Sequence, residues 1–102
     1  MARPLPPPHR LDWTVHPGEV LLDELRERRI SQTELAQRTG FSLKHINQVI
    51  HGRAALRPAL ALAIEDATDI PAHVLVRIQA DHDLWEAAHA AGERYVVRRG
   101  AP

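Results

Sequence analysis

The sequence has no cysteine, few aromatic residues, no net charge and no long apolar run. Without cysteine there are neither disulfides nor thiolate metal sites. With aromatics at 4% and apolar residues at 44%, the core must be built from Leu, Ile, Val and Ala, which favours helices packed on helices. A formal charge of zero argues against a protein that coats nucleic acid by bulk attraction. No apolar stretch reaches the length of a membrane span and no signal-peptide pattern opens the chain, so a soluble, cytoplasmic protein with no membrane partner is expected. The 102 residues suit one domain with short tails.

Catalytic patterns are missing too. The seven histidines make no HExxH spacing, and no two stand four apart on one helix to share a metal. There is no phosphate-cradling Gly loop, and no Ser–His–Asp or Cys–His set can be assembled. The chain is therefore expected not to be an enzyme and to hold no metal or cofactor.

What is present is local and well punctuated. Pro4, Pro6, Pro7 and Pro8 make residues 1–12 a flexible arm. Arg3 and Arg10 would let it touch a minor groove, although a loose arm without function is the plainer reading. A folded domain is expected over 13–90 and a flexible tail over 91–102, where Tyr95-Val96-Val97 could dock. Pro17 at a first helical position and Glu19 after it open a helix whose buried face is Val20, Leu21, Leu22 and Leu25. Trp13 is placed beneath this entry. Ser31 with Glu34 reads as a capping box with Ile30 and Leu35 as its staple, and Ser42 caps a further helix with Phe41 and Ile46 stapled. Gly40 and Gly52 end these two short helices. Ile46, Val49 and Ile50 form a core stripe. Pro58 starts a fourth helix, and Pro71 a fifth that runs to about Ala90.

Two short helices around a Gly turn are the usual device for setting one helix into the DNA major groove. If Ile46, Val49 and Ile50 face the core, then Leu43, Lys44, Asn47, Gln48 and His51 lie opposite, with His45 at the edge. Lys can donate to guanine, Gln or Asn can bond adenine, and Leu43 offers apolar contact. The base-reading set is thus Leu43, Lys44, His45, Asn47 and Gln48. Gln32 and Ser42 sit at helix N-termini, where phosphate is met, and His51, Arg53 and Arg57 would add backbone attraction. Charge is split accordingly. Arg38, Lys44, Arg53 and Arg57 stand against Glu34 alone over 31–58, a net +3, whereas residues 60–90 carry Glu65, Asp66, Asp69, Asp81, Asp83 and Glu86 against Arg77, a net −5. In the fifth helix Leu75, Ile78, His82, Trp85 and His89 recur at heptad-like steps, a candidate dimer surface; docking within the monomer is the competing reading.

Several segments carry a resemblance: His16-Pro17-Gly18-Glu19, Leu22-Asp23-Glu24-Leu25, Ser31 through Ala36, Ile46-Asn47 with His51-Gly52, and Asp83-Leu84-Trp85. Over about residues 13–90 the chain resembles the Xre-type helix-turn-helix family, which includes the phage repressors, and within it the HigA-type antitoxins. The resemblance implies an all-α, five-helix phage-repressor-like domain. It also implies a homodimer on a palindromic operator in double-stranded DNA, usually in its own promoter, and a HigB-type ribonuclease toxin as partner. The family's phosphate-contacting Gln falls on Gln32, and its base readers on Leu43, Lys44, His45 and Gln48. The chain departs from the family at Arg57-Pro58, where Thr-Pro is common, at Val74-Leu75, where an aromatic pair is common, and at His82, where Tyr is frequent. Two other readings stay open: a stand-alone Xre-family repressor without a toxin, and a protein-interaction module that uses the helix-turn-helix as scaffold.

Overall fold

A computed structural model describes residues 14–90. Along them run α1 (Pro17–Arg28), α2 (Gln32–Thr39), α3 (Leu43–Ile50), α4 (Pro58–Thr68) and α5 (Ala72–Ala90), with no strand among the described residues. The all-α, five-helix expectation holds. The Pro-rich arm with Arg3 and Arg10, Trp13, and the tail with Tyr95-Val96-Val97 lie outside the described residues.

The helix starts follow from their capping side chains. Ser31 Oγ accepts from the Glu34 amide and Ser42 Oγ from the His45 amide, each at 3.0 Å. The expected capping box is only half formed, because the Glu34 carboxylate turns away and pairs with Arg38 one helical turn on. Between the two helices Gly40 takes φ 79°, a left-handed conformation open to Gly at no steric cost. Ser42→Ala is expected to cost about 1 kcal/mol. A thermal melt should register this as a drop of roughly 4–8 °C, and an unchanged melt would mean that the cap contributes nothing.

One core joins all five helices. It contains Leu21 and Leu25 of α1, Leu35 of α2, Ile46, Val49 and Ile50 of α3, Leu56 of the link, Leu60, Ala61 and Ile64 of α4, Ile70, and Ala72 and Leu75 of α5. Ile30 and Phe41, which precede the two capping serines, pack half-buried against it as staples do. Val20 is only half-buried, so the inner face of α1 is narrower than its sequence suggests. Each fully buried Leu or Ile contributes about 1.5–3 kcal/mol. The exposed Glu24–Arg28 and Glu34–Arg38 pairs contribute about 0–1 kcal/mol each. Apolar packing therefore sets the angle between α2 and α3.

The His16-Pro17-Gly18-Glu19 segment braces α3 from behind. His16 Nδ1 accepts from the Gly18 amide at 3.0 Å and caps α1. Gly18 lies so close to the end of α3 that a Cβ there would sit 2.2 Å from the Ile50 carbonyl oxygen and 2.6 Å from that of Val49. The His16 ring covers Gly52, where a Cβ would come within 2.3 Å of Nε2. Beyond α1 the same ring meets His82 of α5 edge-on, with centroids 4.9 Å apart.

Candidate nucleic-acid interface

In α3 the apolar residues other than Leu43 are segregated on one side, and successive side chains turn by about 100°. Burial of Ile46, Val49 and Ile50 therefore points Lys44 and Gln48 most directly away from the core. Leu43 (46% exposed) and Asn47 flank them on the side of α2. On the opposite edge His45 is half-buried, its ring stacked on Phe41 at 5.7 Å and 25°. His45 is thus held against the protein, while Lys44 has no intramolecular hydrogen bond or ion pair among the described residues. On the face expected to meet DNA, Leu43, Lys44 and Asn47 are exposed and Gln48 is half-buried, with Lys44 and Gln48 at its polar centre.

The candidate phosphate contacts surround this face. Gln32 is the first residue of α2, and its Oε1 accepts from Asn47 Nδ2 at 3.2 Å. The structure thereby links two residues expected to act separately. Ser42 is exposed and keeps its hydroxyl proton free while Oγ accepts from His45. His51 Nδ1 lies 2.9 Å from the Asn47 carbonyl oxygen. A carbonyl only accepts, so Nδ1 carries the proton, and neutral His51 then offers an acceptor at Nε2 rather than a donor. Only the imidazolium could donate to phosphate. Arg53 and Arg57 are exposed on the link after α3. That link is fastened to α5 by Gln79, whose Oε1 accepts from the Leu56 amide at 2.8 Å and whose Nε2 donates to Asp83 at 2.8 Å. Gln79 was not singled out from sequence, since its role depends on a loop 23 residues away.

The basic lobe is smaller than its residue count. Arg38 is paired with Glu34 and donates to the Ala67 carbonyl oxygen, so it ties α2 to the end of α4. Lys44, Arg53 and Arg57 carry what remains. Arg57 is the N-cap residue of α4 and makes no side-chain capping bond, in keeping with the loss of a Thr there.

The stripe on α5 needs correction. Leu75 is fully buried in the core and cannot meet a second molecule. His82 is largely enclosed (side chain 13% exposed), packed on His16 and 3.5 Å from a Glu86 carboxylate oxygen. Ile78 and Trp85 are half-buried and His89 is exposed, its ring stacked on Trp85 at 4.0 Å. Val74 and Leu84 are also exposed, at 39% and 49%. The heptad pattern mixed residues that face the core with residues that face outward.

No helix among the described residues is long and apolar enough to cross a membrane. Residues 22–75 match the profile of a helix-turn-helix family. No curated protein sequence matches the chain. Among solved structures, it is similar to the Pseudomonas aeruginosa antitoxin HigA with the higBA promoter: 28% identity, TM-score 0.73, 78% of this chain and 88% of that one. An antidote protein of a plasmid maintenance system from Nostoc punctiforme is 28% identical, with TM-score 0.72 over 78% of this chain and 87% of that one. A Pseudomonas aeruginosa protein in complex with its 28-bp operator DNA is also 28% identical, with TM-score 0.72 over 78% of this chain and 89% of that one.

Proposed function

We propose that this chain, which belongs to the helix-turn-helix family, is an antitoxin that represses transcription by binding a specific operator. The observation that carries the reading is the outward face of α3, with Lys44 and Leu43 exposed and Gln48 half-buried beside them on the side away from the core. A fold used only as scaffold would not require that presentation. Likeness to an antitoxin solved with promoter DNA supports the same reading. Leu43, Lys44 and Gln48 read base edges, with His45 at the margin. Gln32, Ser42, Arg53 and Arg57, and His51 when charged, hold phosphates. The chain acts as a regulator without chemistry of its own, in the cytoplasm.

The operator is a palindrome in the chain's own promoter, bound by a homodimer with half-sites about one helical turn apart. Support for dimerisation comes from α5, whose apolar residues point in every direction: Leu75 inward, and Val74, Ile78, Leu84 and Trp85 at least partly outward. Apolar side chains left outside the core on such a helix gain from cover by a second surface. The acidic α4–α5 lobe, with Asp66, Asp69, Asp81, Asp83 and Glu86 exposed, suits a HigB-type ribonuclease, because an RNA-binding partner carries basic surface.

Footprinting on the chain's own upstream region should show two protected half-sites related by two-fold symmetry; absent or asymmetric protection would refute the dimeric repressor. In sedimentation, Trp85→Ala should weaken self-association at least tenfold. An unchanged monomer–dimer profile would remove α5 from the interface.

A further inference from the structure

We infer that Asn47 acts as a positioning residue for Gln32 and joins the backbone clamp on α2 to the reading helix α3; the inference rests on the DNA-binding reading above. Asn47 lies at the α2 edge of α3, about 80° around the helix from the mean direction of Lys44 and Gln48. Its amide is turned along the protein surface, where Nδ2 donates to Gln32 Oε1 at 3.2 Å. The consequence is chemical. Phosphate oxygens only accept, so a Gln that serves phosphate must present Nε2 and not Oε1. A free Gln side chain samples both orientations. Engaging Oε1 from within the protein leaves Nε2 as the outward end.

Gln32 is well placed to use that end. It is the first residue of an eight-residue helix, where unpaired backbone amides and the helix dipole also favour an anion. The Ser31 side chain and carbonyl occupy the amides of Glu34 and Leu35, and among the described residues the amides of Gln32 and Thr33 are left without partners. Asn47 thus contributes sequence-independent affinity through Gln32, while base discrimination falls to Lys44, Gln48 and Leu43. Coupling also follows. Any shift of α3 in the groove moves Asn47, and with it the amide that holds the backbone beside α2.

The test is a double-mutant cycle with Gln32→Ala and Asn47→Ala, measured by fluorescence anisotropy on the footprinted operator and on a scrambled duplex at one salt concentration. Asn47 is exposed and Ala is a better helix former, so the variants are expected to fold. Each single change should weaken binding to both duplexes by the same factor, roughly tenfold, and the double variant should be no weaker than Gln32→Ala alone. Gln32→Glu keeps the acceptor for Asn47 but brings a carboxylate to the phosphate, and should lose more than Gln32→Ala. In the free protein, Asn47→Ala should move the Gln32 side-chain amide NMR signals toward their unstructured positions. Losses that multiply, or loss of discrimination at a single base pair in Asn47→Ala, would overturn the positioning role. Wild-type protein that bound neither duplex would instead overturn the DNA reading itself, before any variant is measured.

Discussion

Gly18→Ala is expected to lower stability by about 3 kcal/mol, near the upper end for overpacking, and to cut the melting temperature by roughly 12–24 °C. The added methyl would lie 2.2 Å from the Ile50 carbonyl oxygen and 2.6 Å from that of Val49. Both obstacles are backbone, so no side-chain rotation relieves them. Either α1 or the end of α3 must move, and the core residues Leu21, Ile46 and Val49 pack between those elements. Gly40→Ala is the informative comparison. At Gly40 nothing lies within 4 Å of an added Cβ, so only the left-handed backbone is penalised, by roughly 1–2 kcal/mol. Circular-dichroism melts of the two variants separate close approach from backbone strain. If Gly18→Ala melts at or above Gly40→Ala, the contact between α1 and α3 is looser than described. Where Gly18→Ala is still folded, operator affinity should also fall, because the brace behind α3 has shifted.

How much of this was legible in the sequence depends on how local each feature is. Ser31 and Ser42 act on amides three residues away, and Gly40 serves its own turn, so a linear pattern reveals them. The stripe of Ile46, Val49 and Ile50 is equally local, and with it the outward position of Lys44 and Gln48. His16 is different. Its sequence neighbours identify the start of a helix, but its contacts with Gly52 and His82 lie 36 and 66 residues away. Arg38 counted as free positive charge until the structure placed it between Glu34 and the end of α4. Leu75 satisfied a heptad rule that cannot tell an inward face from an outward one when apolar residues are spread around the helix among polar ones. The Gln32–Asn47 bond had no signal in the chain, since two polar residues 15 apart meet only once the angle between α2 and α3 is fixed.

That angle also gives the molecule a basic surface and an acidic one, which adjoin where Arg53 and Arg57 border the same clefts as Asp83. The α2–α3 corner and the link after it present Lys44, Arg53 and Arg57, whereas α4 and α5 present Asp66, Asp69, Asp81, Asp83 and Glu86. Exposed charges more than about 10 Å apart are largely screened at 0.1 M salt. Lys44 stands away from the acids, but Arg53 and Arg57 border the same small clefts as Asp83, so a basic partner on the acidic side would affect DNA binding through its charge at the link as well as through the fold. The physical path for such an effect is short: α5 touches His16 through His82, and His16 covers Gly52 at the end of α3.

Lys44→Ala and Gln48→Ala should each weaken operator binding by about 1–3 kcal/mol, or roughly 5- to 150-fold, with much smaller losses on a scrambled duplex. They stand one helical turn apart on the side of α3 away from the core, Lys44 exposed and Gln48 half-buried, where the proposed reading sets both against base edges of one half-site. In that reading Lys44 would act as a compact charge toward guanine O6 and N7, and Gln48 would both donate to and accept from adenine. As near neighbours they need not add, so the double variant falls between the larger single loss and the sum of the two. The decisive quantity is the ratio of operator to scrambled affinity across a salt series. A base-reading Lys44 should lower that ratio when replaced, and leave a salt slope reduced by less than one unit. A phosphate-bound Lys44 would lower both affinities together and reduce the slope by about one. Neither variant should move the melting temperature as Gly18→Ala does, because no core contact is lost. In a symmetric dimer each substitution occurs twice, once per half-site, so the full-operator loss should be about double, in kcal/mol, that on an isolated half-site. A full-site loss no larger than the half-site loss would mean that only one α3 engages the DNA.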